Sequence, residues 1–393
     1  MPIPGTAGSP QQIASFAEEL FGHLPRTDQR HWALTYLRGL LATEGRKSVR
    51  RLASAVSDSP TAAQSLQQFV NVSPWAWAPA RSALTRWSVR RAAPTAWTAA
   101  PVMLPKRGSH SVGVHRRTGP AGGRPVSCQL GLALFLSTGK LDVPVDWQLM
   151  LPGPWAEDAG LRRRVRVPDD VVPRPAWAQV LDMTDRLTVG TGLAATPVVT
   201  DLSAFVEDAT PLAAGLSRRG RHFLLAVPGS LAVTPADAGA SRTAGALELL
   251  HSGGRTLRTA AHSGRPRPAH ITTSLVRLPG VHGPSRTYRL FTEARPAGGR
   301  VPRVWLTDLL HRRVDELLPL TECVASSATA VHRLEDFGLL DLEGRSFPGW
   351  HHHMTLVSAA YAYSHLACED GDSGTARTAL RRDTRPRGAT GRP

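Results

Sequence analysis

Between Ala195 and Arg221 the sequence ATPVVTDLSAFVEDATPLAAGLSRRGR leaves little choice of local fold. Val198, Val199 and Thr200 form a β-branched run suited to the inside of a sheet, and Asp201 ends it. Glu207 and Asp208 begin a helical pattern that continues through Leu212 and Leu216 to Arg218 and Arg219, with acids in the first turn and cations in the last. RHFLLAVPG, from Arg221, reads as a second strand. Strand, helix and strand in so short a span predict a βαβ unit, with Asp201 at the strand-to-helix corner where open α/β sheets present chemistry. An acid in that place also serves as a plain helix cap, so both roles stay open for Asp201.

The 393 residues, 41% of them hydrophobic, suffice for two or three structural units with a real core. A net charge of +16 points to a polyanionic partner, most simply nucleic acid. Lys47, Lys106 and Lys140 are the only lysines, so nearly all of the cations are arginines, which suit bidentate phosphate contacts. Codon bias can favour arginine over lysine, but it does not explain the imbalance of sign. Cys128, Cys323 and Cys368 lie far apart, which argues against a disulfide framework or a zinc knuckle and for a reducing compartment. No apolar run approaches membrane-spanning length and MPIPGTAGSPQQ lacks leader features, so a cytoplasmic protein without a membrane partner is expected.

The first part reads as helical. Ile13 to Leu24 and Asp28 to Leu41 carry apolar residues at helical spacing. EGRKSVRRLASAV follows, with Arg46, Lys47, Arg50 and Arg51 in little more than a turn, and then a helix from Thr61 to Val70 that offers Gln64, Gln67 and Gln68. Such a pair fits either a helix-turn-helix on DNA or a plain bundle with a charged face. Strand periodicity takes over at Trp97 to Leu104, His110 to Arg116, Cys128 to Ser137 and Val143 to Leu151. A helix over Pro173 to Arg186 leads into the strand ending on Asp201. After Pro228 the chain lacks a clean period until a strand from Val301, a helix over Val314 to Phe337 and an apolar helix from Trp350 to about Cys368. The arginine-, glycine- and proline-rich tail from Glu369 has a disordered composition.

Three segments resemble a known family. PKRGSHSVGV (Pro105 to Val114), the strand ending on Asp201, and LEGRSFPGWHHHMTLVSAAYAY (Leu342 to Tyr363) are similar to the DDE transposases of bacterial insertion sequences, in particular the insertion-sequence 701 group. VPVDWQLMLP (Val143 to Pro152) and VPDDV (Val167 to Val171) are similar to that group as well, and the likeness runs from about Phe16 to Leu366. It is most specific at EGRSFPGWHHH.

The resemblance implies an RNase H-like α/β fold, a mixed sheet with flanking helices. An acid on the first strand, a second after the fourth and a glutamate on a later helix would hold two Mg²⁺ ions for phosphodiester chemistry. Asp201 matches the second acid and metal ligand, although Leu202, Ser203 and Ala204 replace the usual glycine-tyrosine. The first acid would fall near Ala100 or Pro101, in a strand without a carboxylate. The glutamate would fall near His332, and Glu335 is the nearest carboxylate able to face the same way. The basic cluster Arg46, Lys47, Arg50 and Arg51, the segment with Lys106, Arg107 and His110, and Arg345 with His351 and His352 are the candidate DNA contacts. A Zn²⁺ reading of His351, His352 and His353 is disfavoured, because adjacent helical residues point in different directions.

The expected organisation is an N-terminal helical, DNA-binding region over 1–95, an RNase H-like domain over 96–368 with a β-rich insertion at about 228–302, and a disordered basic tail over 369–393. Two functions fit: DNA transposition by Mg²⁺-dependent strand cleavage and transfer, or non-catalytic DNA binding by a regulator or repurposed transposase. DNA is the expected partner, with a homodimer on DNA left open.

Overall fold

The computed structural model describes residues 9–118, 124–191, 195–203, 205, 208–236, 243–259, 270–280, 286–293 and 303–367. Glu207, Cys368, the tail over 369–393 and parts of the expected insertion lie outside the described residues.

Five helices come first: α1 (Pro10–Phe21), α2 (Thr27–Ala42), α3 (Val49–Val56), α4 (Ala62–Asn71) and α5 (Trp77–Arg91). Ser9 and Gln12 form a capping box at the start of α1, with Pro10 in the first turn where its missing N–H costs nothing. α3 and α4 pack on each other, turning Leu52, Leu66, Phe69 and Val70 inward and leaving Gln64, Gln67 and Gln68 exposed.

β1 (Ala96–Pro105), β2 (His115–Arg117), β3 (Val126–Ser137) and β4 (Asp142–Leu149) follow by antiparallel pairing, β2 and β4 sharing the outer edge of β3. The short helices α6 (Pro154–Glu157) and α7 (Ala159–Arg164) and the longer α8 (Ala176–Thr191) lead to β5 (Val198–Asp201). α9 (Thr210–Arg218) then connects β5 to β6 (Phe223–Val227). β5 is parallel to both β1 and β6, as the βαβ reading requires. The order β4-β3-β1-β5-β6, with an antiparallel half and a parallel half, is the RNase H-like arrangement.

The insertion extends this sheet. β7 (Ala232–Pro235), β8 (Ala244–Gly245), α10 (Ala246–Gly253), β9 (Arg255–Arg258), β10 (His270–Arg277) and β11 (Tyr288–Glu293) precede β12 (Val304–Thr307), which returns antiparallel beside β6. β11 and β10 continue outward from β12, so the described strands form one sheet of twelve.

Two long helices close the chain, α11 (Val314–Glu335) and α12 (Phe347–Leu366). Alternation along the strands puts Ala96 of β1, Val199 and Asp201 of β5, and Leu224 and Ala226 of β6 on the face that α11 covers. α12 lies over the same face, where Gly131 of β3 lets the Trp350 ring approach the strand backbone and Trp147 Nε1 donates to Ser358 Oγ at 2.8 Å. On the other face, Phe223 and Leu225 join Leu212 and Leu216 of α9 in the core. α12 is buried along most of its length because the sheet lies on one side and α2, α4 and α5 on the other.

Candidate functional site

Asp201 sits at the carboxyl end of β5, its side chain 13% exposed. One carboxylate oxygen accepts from the Ser203 amide at 3.1 Å and the Ser203 hydroxyl at 2.6 Å, the geometry of a local turn. The other receives Nε of Arg303, just before β12, at 3.1 Å. Both oxygens thus have partners, and a guanidinium supplies the cation. Parallel register pairs Thr200 with Ala99, so the next residue of β1, Ala100, stands beside Asp201 on the same face. That strand carries no carboxylate from Ala96 to Pro105.

α11 crosses the sheet from β6 toward β4. Its Leu317 and Leu318 pack with Val199 and Leu224, Cys323 lies against Thr98 of β1, and the Ser326 hydroxyl donates to Asp142 of β4. Glu335 is nine residues past Ser326, about 13 Å farther along the axis and away from β5. It is exposed at the end of the helix, where His332 Nδ1 lies 3.4 Å away. The structure therefore does not bring Glu335 to Asp201. Glu322, half-buried, precedes Cys323 on α11 and is a residue that sequence reasoning missed.

The two other acids of this region have separate structural roles. Asp142 accepts from the hydroxyls of Ser137 and Ser326, and burial pushes its carboxyl above the usual range. Asp146 binds Arg81 at 3.0 Å and Arg186 at 2.7 Å. Arg81, 5% exposed, also donates to the Trp147 carbonyl, Thr355 Oγ1 and the His351 carbonyl, tying α5 to β4 and α12.

Several basic residues converge around the segment joining α11 to α12. Arg46 reaches Glu343 at 3.5 Å, Lys106 Nζ donates to the Leu342 carbonyl at 3.2 Å, and the Val112 amide donates to the Arg345 carbonyl at 3.0 Å. Arg46, Arg50, Arg51, Arg107, His110 and Arg345 are exposed. Arg163 and Arg164 of α7 and Arg166, which holds a left-handed φ of 58° and donates to Val72 O and Ser346 Oγ, add to the rim. Sequence reasoning missed these three, and the run LRRRVR is the signal that could have found them. The end of β1, the end of β5 and α7 all lie at one end of the sheet, and β1 continues from Ala100, level with Asp201, to Pro105 before the rim begins.

Four of the expected contacts are corrected. Lys47 is 1% exposed, with its amide on Asp341 and Nζ on the Thr43 carbonyl; burial lowers its pKa. Lys106 is mostly covered, and burial lowers its pKa too. His351 and His352, each 1% exposed, stack on Trp77 and Trp75 with ring centroids 4.5 Å and 3.8 Å apart. Burial holds the His351 ring well below its ordinary pKa and His352 down to about 4, against the partly offsetting carbonyls of Val70 and Trp75. These rings are packing elements, placed out of reach of a phosphate on the surface.

The sequence model of the DDE superfamily endonuclease matches residues 19–268. This chain belongs to the DDE superfamily of endonucleases. The matched region spans the N-terminal helices, the RNase H-like strands and Asp201, and ends before β10, α11 and α12. No curated protein matches the chain. DDE endonucleases act on DNA and generally use divalent metal ions. The described residues do not fit such ions. Among the described residues no group of three His, Cys, Asp or Glu side chains could hold one, Ala100 stands at the register position beside Asp201, and Arg303 occupies the Asp201 carboxylate. Among the described residues no helix is long and apolar enough to cross a membrane.

Proposed function

We propose that this chain is a transposase-family protein, related to the insertion-sequence 701 group, that binds DNA without cutting it. The ancestral activity of such a fold is DNA transposition by Mg²⁺-dependent strand cleavage and transfer. On this reading the acidic triad is eroded, which is supported by Ala100 beside Asp201 on a strand without a carboxylate and by the place of Glu335 at the far end of α11. The observation that carries the reading is the Arg303 to Asp201 ion pair beside Ala100, because it gives the Asp201 carboxylate a cation from the protein itself. Charge of +16 and the basic rim around Arg107 and Arg345 supply the attraction for DNA phosphates. The helical region over 1–95 contributes Arg46, Arg50 and Arg51, and the protein acts in the cytoplasm.

The test is fluorescence anisotropy of a labelled duplex carrying sequence that flanks the gene, titrated across a range of salt. The expected result is binding whose logarithm falls linearly with the logarithm of salt concentration, unchanged in Asp201→Asn. Absence of binding even at low salt would overturn the reading.

A further inference from the structure

A second basic site lies far from Asp201, on the inserted strands. A groove of about 860 Å³ opens between β9, β10, β11 and the start of α11. Arg255, Arg258, Arg289 and Arg313 line it, and Leu275, 47% exposed, lies among them. Arg289 donates to the Leu310 and Arg312 carbonyls, which fixes its position without neutralising it. Arg313 is offset by Asp315 at 2.8 Å, and among the described residues no other acid lines the groove. Arg255 and Arg258 are exposed on β9, which pairs only with β10 among the described strands. Four guanidiniums around one carboxylate and an exposed leucine are costly to keep together unless an anion is to be met.

The groove also faces the right way. Register pairs Leu257 with Ile271 and Arg255 with Thr273, and Ile271 belongs to the core beneath α11. Arg255 and Arg289 therefore project from the same sheet face as Asp201. Five strand spacings separate β5 from β9, about 24 Å, which is less than one turn of duplex DNA. We propose that this groove is a second DNA-binding site, in which Arg255, Arg289 and Arg313 hold backbone phosphates of the duplex whose neighbouring stretch lies on the basic rim at the Asp201 end of the sheet. The inference rests on the DNA-binding reading and adds to it a role for the insertion.

The experiment compares the full-length protein, Arg255→Ala/Arg313→Ala, and a charge-matched control, Arg174→Ala/Arg218→Ala, on the α8 and α9 layer. All three are titrated with the same labelled duplex over a range of salt. Loss of two phosphate contacts predicts at least tenfold weaker binding and a log–log salt slope reduced by about 2 for the groove variant, with the control close to wild type. If wild type binds and the groove variant matches it in affinity and slope, the groove proposal falls and the DNA-binding reading stands. If wild type itself fails to bind at low salt, both fall.

Discussion

Ala100 and Asp201 stand side by side on parallel strands, and a methyl beside Asp201 offers a cation no ligand where a carboxylate would. Mg²⁺ requires near-octahedral oxygen ligation and gives up water reluctantly, so one acid already paired with Arg303 is a poor site. Calorimetric titration with Mn²⁺ should therefore give no saturable binding to wild type, whereas Ala100→Asp/Arg303→Gln should gain it; saturable binding by wild type would contradict this account. The absence of a carboxylate from β1 is legible in TAWTAAPVMLP. Arg303 was not, because it reaches Asp201 only after the insertion folds back and β12 pairs with β6. A second residue-scale consequence concerns Gly344 in the EGRSF segment. A Cβ there would lie 1.7 Å from Asn71 Oδ1, so Gly344→Ala should destabilise the protein by about 1–3 kcal/mol, read as a lower denaturant midpoint.

At the scale of elements, α12 explains why a histidine triplet that looks like a basic surface is part of the core. The helix was expected to be buried, and it is, so all three rings had to find partners inside. The loops that supply those partners, near Val70, Trp75 and Gly338, are distant in sequence from His352 or contributed by another segment, and sequence spacing alone does not reveal them. His353 shows the arrangement most simply: Nε2 faces the Gly338 carbonyl at 2.8 Å and Nδ1 faces the Tyr36 hydroxyl at 3.2 Å, partners that suit a neutral ring. Burial holds its pKa down to about 4. Unfolding lets the ring take up a proton near pH 6.5, so its contribution to stability is whole above that pH and is lost as pH falls toward 4. Chemical denaturation at pH 7 and pH 5 should show a loss of stability for wild type, and a smaller loss for His353→Asn. Equal losses would remove His353 from the explanation. Arg81 acts at the same scale, since it joins three elements through one buried guanidinium; Arg81→Ala should cost about 3–5 kcal/mol, checked by equilibrium unfolding.

Across the whole molecule, the strand and helix order from β1 to β6 was largely legible, because each element has a clear period and Asp201 marks the parallel crossover. The path of the insertion was not, since its short strands take their positions from pairing onto β6 rather than from their own pattern. The outcome is one sheet whose Asp201 face carries a basic rim at one end and an arginine-lined groove on the added strands. On the proposed reading a DNA-binding surface persists without a metal site, because phosphate attraction depends on distributed charge while metal binding depends on a few exact positions. The measurement that tests this most directly is nicking of a gene-flanking duplex with Mg²⁺ or Mn²⁺ by wild type and Asp201→Asn, with binding followed in the same samples. Binding by both proteins without cleavage by either is the predicted result. Cleavage by wild type that disappears in Asp201→Asn would contradict it and would mean that a catalytic site has been rebuilt around Asp201.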